Sequence, residues 1–297
     1  MPHDWTVRRE SRNVHVVEVD GGMSIPAFEH WVLLSSDRHH DSTHADWELE
    51  RKHLDEAVVR NATVVDNGDL FDVMGGKWDP RSPKGSLRPE LACAPDYLDA
   101  VVRHASEFYS PYAKQFAVIG RGNHETAITK RHEIDLTERL CASMAQSSGV
   151  PVHAGGYGGW VVFRVTMHKT KQFVLRLRYF HGSGGGGPMT HGVLATRRMA
   201  SWLPDADVVM CGHTHDHWHV KLMQERLVKF KGKYDIRLAE QHHVRTPTYK
   251  QEWDPAGGWH VETGKPPKPQ GAMWMKLQVQ KGGVEGYHLV ATFVEAS

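Results

Sequence analysis

Residues 62–72 read ATVVDNGDLFD. A short apolar run, rich in β-branched residues, stops at a polar turn, and that turn carries Asp69 and Asp72. An apolar run of this length bounded by turn residues fits a buried strand. The same grammar recurs on either side. Upstream, WVLLSS (31–36) ends at Asp37-Arg38-His39; downstream, QFAVIG (115–120) runs into Gly122-Asn123-His124-Glu125. Helical stretches lie between. Residues 46–60 space Trp47, Leu49, Leu54, Ala57 and Val58 for one face behind Asp46 as an N-cap, and Pro95 to Ser110 sets Leu98, Val101, Val102, Ala105 and Phe108 on one side. This alternation predicts an α/β fold built in layers.

Further along, residues 134–147 and 191–203 read as helices, and 161–166, 172–180 and 207–211 as strands. From Trp218 onward the chain is mainly strand (218–224, 227–238, 272–279, 286–294), with one long loop from Thr246 to Gly271 that holds Trp253 and Trp259. Residues 76–95, rich in Gly, Pro, Arg and Ser, read as a surface excursion. No fixed-period repeat appears. The expectation is a single domain over 1–297, with its chemistry in 37–215 and closing strands plus the long loop in 218–297.

Composition narrows the function classes. Among 297 residues, Lys plus Arg number 36 and Asp plus Glu 35, a formal charge of +1. That balance gives no global case for a nucleic-acid binder and leaves room for a local basic groove. Mean hydropathy is −0.50, and no apolar run reaches the roughly 18 residues of a membrane helix. The opening MPHDWTVRRESRN has no apolar stretch behind its charges, so it does not read as a secretory signal. Cys93, Cys141 and Cys211 are too widely spaced for a zinc pair and suit a reducing cytoplasm. The anomaly is 22 histidines, the residue that most often ligates metals.

Five polar clusters follow short apolar runs: Asp37-Arg38-His39, Gly68-Asp69-Leu70-Phe71-Asp72, Gly122-Asn123-His124-Glu125, His181-Gly182 and Gly212-His213-Thr214-His215. Open α/β sheets bind ligands outside the carboxyl ends of their strands, so five such loops would converge on one place. They bring imidazoles and hard oxygens without thiolate, a set suited to Mn, Fe, Zn, Ni or Co. Asp37, His39, Asp69, Asn123, His181, His213 and His215 are too many donors for one tetrahedral ion and enough for two if a carboxylate bridges. The glycines before Asp69, Asn123 and His213 would let the chain turn back sharply toward the ions. Extended backbone through Asp37-x-His39 and His213-x-His215 would put each pair on one face.

These blocks, in this order, resemble the calcineurin-like metallophosphoesterase superfamily, whose pattern is D-x-H, G-D-x-x-D, G-N-H-[DE], H and G-H-x-H. The resemblance covers about the first 220 residues and implies an αββα sandwich of two mixed sheets flanked by helices. It implies that Asp37, His39 and His215 hold one divalent ion, that Asn123, His181 and His213 hold the other, and that Asp69 bridges. His124 would serve as general acid or bind phosphate, oriented by Asp72. Two ions, Mn²⁺ first among the candidates, would clamp a phosphoryl group and lower the pKa of a water between them.

Departures from the pattern bear on substrate. Val73-Met74 stand where protein phosphatases carry Arg-Gly, and His124 stands where the hydrolases of UDP-diacylglucosamine carry Arg. The GDLFD block is similar to that of break-repair nucleases, and RTPTYK (245–250) and GGWH (257–260) are similar to metallophosphoesterases of phage genomes. The expectation is a phosphoesterase that takes phosphodiesters, nucleic acids and nucleotides included, ahead of monoesters. The alternative of another class is a non-catalytic metal-binding interaction module. Arg38 and Arg121 either contact the phosphate or pair with carboxylates. Asp41 either backs the site or lies on the loop surface. Trp253, Trp259 and Trp274 either stack on a base or pack the fold, and the Gly182–Gly187 run reads as a loop beside His181 rather than a nucleotide cradle. Asn61-Ala62-Thr63 matches a glycosylation sequon inside an expected strand.

Overall fold

The computed structural model describes residues 3–73, 87–184, 192–230, 232–251, 253, 261, 264, 266–282 and 286–296. In chain order the elements are β1 (Trp5–Ser11), β2 (Val14–Gly22), β3 (Glu29–Ser35), α1 (Trp47–Arg60), β4 (Thr63–Asp66), α2 (Pro89–Ala92), α3 (Tyr97–Tyr109), β5 (Phe116–Ile119), α4 (Asn123–His132), α5 (Leu136–Ser148), β6 (Gly158–Met167), β7 (Lys171–Phe180), α6 (Val193–Trp202), β8 (Val208–Cys211), β9 (Trp218–Phe230), β10 (Lys233–Arg245), β11 (Ala272–Gly282) and β12 (Gly286–Ala296). They form a seven-stranded sheet in the order β1-β2-β6-β7-β8-β10-β9 and a five-stranded sheet in the order β12-β11-β3-β4-β5. Both are mixed: β3, β4 and β5 are parallel, as are β7 and β8, while the hairpins β11–β12 and β9–β10 are antiparallel.

The short strands are apolar on both faces because both faces are covered. In β8, Val208 and Met210 join the core between the sheets, while Val209 and Cys211 pack with Met199 of α6 and Leu203 just beyond it. In β3, Val32 and Leu34 point to the other sheet, and Leu33 faces the helical layer. That layer presents Leu54 of α1, Val101 of α3 and Leu140 of α5, all fully buried. Removing each such side chain from water contributes about 1.5–3 kcal/mol. The layers therefore run α, β, β, α, and the strands after Trp218 divide between the two sheets.

Several expectations change. β1 and β2 lie outside the elements read from the sequence; Val17 and Val19 face the core, but Val16 beside Val17 and the buried His15 blur any alternation. The expected break between 224 and 227 does not occur, and β9 and β10 pair continuously from Trp218↔Arg245 to Phe230↔Lys233. Only residues 242–245 of β10 also pair with β8, so the hairpin's outer half projects past the sheet with Leu227, Tyr234, Ile236 and Leu238 63–72% exposed. Asn61 is not in a strand: at φ 47° it caps α1, and its amide donates to the carbonyl of His3 at 2.9 Å. Most of the 76–95 excursion, Gly185 to Gly187 of the glycine run and the 257–260 stretch fall outside the described residues. Among the described residues no helix is long and apolar enough to cross a membrane.

Candidate metal centre

Parallel strands end on a common edge. The loops after β3, β4 and β5 leave one sheet on the same side, and the loops after β7 and β8 leave the other. The first three bring Asp37 and His39, Asp69 and Asp72, and Asn123 and His124; the other two bring His181, and His213 with His215. Two groups of donors result. Atoms of Asp37, His39 and His215 lie within 4.8 Å of one another, as do atoms of Asp69, His181 and His213. Asn123 joins the second group through its Oδ1, 3.1 Å from His181 Nε2, which is also 3.1 Å from Asp69 Oδ2. In the first group, His39 Nε2 stands 3.3 Å from His215 Nε2, itself 3.4 Å from Asp37 Oδ1. Asp37, His39, Asp69 and His181 are buried; Asn123, His124, His213 and His215 form a partly buried rim.

The loops are not extended. Asp37, His39, Asp69, His213 and His215 all have φ between 45° and 72°, left-handed backbone that disfavours most L-residues and that Asp, Asn and His tolerate best. Each donor pair is brought together by turning the chain, not by strand alternation. The glycines also divide in role. Gly68 has φ +94° and also lies against the backbone of Arg121 and Gly122, whereas Gly122 and Gly212 have ordinary φ, and a side chain on them would begin 1.9 Å from Asp69 Oδ1 and 2.4 Å from Ser36 Oγ. At those two positions the need is close approach, not a special φ.

Hydrogen bonds fix the ring orientations. His181 Nδ1 meets the carbonyl of Asn67 at 2.9 Å, so its N–H donates there and Nε2 is left for a cation. His39 Nδ1 lies 3.0 Å from Asp72 Oδ1, an ion-pair contact. Asp72, His39 and His124 are close enough to suggest a third group, but Asp72 Oδ1 already accepts from Lys250 Nζ at 2.9 Å. Asp72 is thus shared between Lys250 and His39, with His124 farther off. His124 Nδ1 is 3.2 Å from the Asp72 backbone carbonyl and 3.7 Å from its carboxylate.

The electrostatics match a cation site. Burial holds His39 and His213 below their ordinary pKa, in the neutral form that ligates metals. Burial also opposes charge on His181, but the adjacent Asp69 carboxylate and then Asp37 win, raising it to about 10. Burial would raise Asp37, yet the hydrogen bond and charge of His215 hold its carboxyl well below the usual range. A divalent ion placed between Asp37, Asp69 and His181 would neutralise the same carboxylates and leave the imidazole free to ligate. The donor chemistry and the pinned Nδ1 atoms fit divalent transition ions.

Other residues support the loops. Glu125 accepts from the backbone N–H of Gly122, Asp69 and Phe71 at 2.8, 3.2 and 3.0 Å, and burial beside Asp69 lifts its pKa to about 7. Asp41, fully buried, accepts from the Asp72 N–H at 2.6 Å. The end of β10 and the segment after it serve two loops: Thr248 Oγ1 donates to the Asp37 carbonyl of the first at 2.7 Å, and Arg245 donates to the Gly212 carbonyl of the loop after β8 at 2.6 Å. Sequence alone gives no role in the site to Lys250, Glu125 or Arg245; RTPTYK and GNHE contain them, but only the folded chain shows their use. Arg38 pairs with Asp66 at 2.6 Å and with Glu50, and Arg121 pairs with Asp135. His217 meets Glu295 at 3.2 Å, apart from the donors, and Trp274 packs edge-on against Trp31.

No family model matches the chain, and no curated protein does. Solved structures show distant likeness. GAP50, the anchor in the inner membrane complex of Plasmodium, is 11% identical, with 90% of this chain and 85% of that one covered at a TM-score of 0.45. Vacuolar protein sorting 29 from Cryptosporidium parvum is 13% identical over 91% and 100%, at 0.35. A predicted phosphoesterase from Streptococcus pneumoniae is 9% identical over 90% of each chain, at 0.33. Likeness of this degree decides nothing about chemistry.

Proposed function

We propose that this chain is a dinuclear metal-dependent phosphoesterase with a preference for phosphodiesters. The observation that supports this most is the pair of adjoining donor groups, Asp37–His39–His215 and Asp69–His181–His213, at one edge of the two sheets. Divalent ions held there would polarise a phosphoryl oxygen and make a nucleophile available near neutral pH. The protein's own part is positional and protonic. Asp69 lies against His181 and takes the His124 backbone N–H at 3.0 Å, and His39 of the first group also acts on its charge, so it is the carboxylate that would bridge the two ions. His124 turns Nδ1 to the Asp72 carbonyl, leaving Nε2 on the side of Asp69, 3.7 Å from its Oδ2. Burial opposes its protonation, but Asp69 and Asp72 raise its pKa, which suits an acid that protonates a departing alkoxide. Val73, buried against the core, fills the position of the phosphatase arginine, and this motivates diesters over monoesters.

The test is turnover of matched chromogenic mono- and diesters by the Mn²⁺-loaded protein. Chelation should abolish it. His124→Ala should lower the rate about 10²–10⁴-fold with metal content intact; full activity in that variant removes His124 from the reaction. Two bound ions with no turnover on any ester would instead favour the interaction module.

A further inference from the structure

The metal centre opens on one side into a groove of about 600 Å³ lined by Arg121, Asn123, Thr126, Ala127, Lys130, Arg131 and Tyr157. It begins at two residues that touch the centre. Asn123 stands 3.1 Å from His181 Nε2, and the Tyr157 ring packs edge-on against the His181 ring. It then follows the exposed face of α4 to Lys130 and Arg131 in the last turn. Among the described residues three cationic side chains line it and no carboxylate does. Asp135, the partner of Arg121, is shared with Arg12 at 2.8 Å. In a chain of net charge +1, this concentration of one sign beside the centre is local. The groove beside Trp47, by contrast, mixes Arg51 and Lys52 with Glu48 and Asp55.

Lys130 and Arg131 also complement the dipole at the end of α4, but that role needs no groove leading back to Asn123. We infer that this groove receives the further phosphates of a substrate carrying more than one, with the reacting phosphate at the metal centre and the next ones running along α4 toward Lys130 and Arg131. Such chemistry comes from a single nucleic-acid strand or from a nucleoside polyphosphate. Phosphate contacts of this kind position a substrate without reading sequence, and their affinity falls with salt. The inference rests on the phosphoesterase reading.

The experiment measures binding of a fluorescent single-stranded phosphorothioate oligonucleotide and, in parallel, of adenosine triphosphate to the Mn²⁺-loaded protein across a salt series. The comparison is between wild type, the double variant Lys130→Ala/Arg131→Ala and a charge-matched control, Lys114→Ala/Lys169→Ala. The groove variant should bind the strand more weakly, with the log–log salt slope shallower by about 0.7 for each phosphate no longer neutralised, while the control follows wild type. Weakening confined to adenosine triphosphate assigns the groove to nucleoside polyphosphates. Unchanged binding of both ligands, or equal weakening in the control, overturns the inference. If the strand binds through the groove but no phosphate ester is turned over, the proposed function fails and the groove stands. If a small chromogenic diester is hydrolysed while the groove variant binds like wild type, the reverse holds.

Discussion

Asp72 divides one carboxylate between Lys250 Nζ at 2.9 Å and His39 Nδ1 at 3.0 Å, so its effect on a metal passes through the imidazole ring. Partners of this kind usually change metal affinity about 10–100-fold when removed. Asp72→Asn should weaken one of two Mn²⁺ sites by that factor, read by titration against a competing chelator; unaltered affinity at both would show that His39 needs no such partner. Gly122 is a sharper case. Its Cβ position overlaps Asp69 Oδ1 at 1.9 Å, so Gly122→Ala must displace the carboxylate proposed to bridge the ions. Loss of bound metal with the fold retained by circular dichroism is expected, and full metal content would contradict it. The donor types were legible in the residues themselves. Their backbone was not: left-handed turns at Asp37, His39, Asp69, His213 and His215 each cost on the order of 1 kcal/mol, and a local reading has no reason to expect five of them together.

Arg38 shows how elements are tied under the site. Fully buried, it reaches Asp66 at the end of β4, Glu50 in α1 and Ser35 Oγ at the end of β3, the last at 2.8 Å. An arginine inside a metal motif invites a phosphate-binding role, and only the fold reveals two buried carboxylates waiting for it. Removing one partner of such a set costs about 3–5 kcal/mol, because the other charges stay buried and unpaired. Arg38→Met should therefore lower the unfolding free energy by that order at neutral pH. The pH dependence has a definite sign. Burial raises both Glu50 and Asp66 above their ordinary values even with Arg38 present. Without it, the folded state favours their protonated forms more strongly. The deficit relative to wild type should shrink as pH falls through those raised values and grow as pH rises. A pH-independent deficit in urea unfolding would argue that lost packing, not charge, dominates.

Across the whole molecule, legibility followed whether a signal was local. Short apolar runs ending in polar clusters, such as VVDNGD and VVMCGH, mark strands covered on both faces, and they supply every donor loop except that of His181, which follows the alternating strand β7. β1 and β2 bury Val17 and Val19 against Phe163 and Val165, but a half-polar strand announces itself weakly. α4 was hidden by its own chemistry, since Asn123 and His124 read as loop residues while forming its first turn. The overhanging end of β9–β10, with Leu227 and Ile236 exposed opposite each other, has an alternating pattern that looks buried and is not. What unites the molecule is the common edge where β3, β4 and β5 of one sheet meet β7 and β8 of the other. The proposed chemistry requires two ions at that edge. The most direct measurement is metal content of the purified protein after saturation with Mn²⁺ and removal of free ion, alongside Asp69→Asn. Two ions per chain in the wild type, with loss from both sites in the variant, is the predicted result. A single ion, or none, with the protein folded would contradict it.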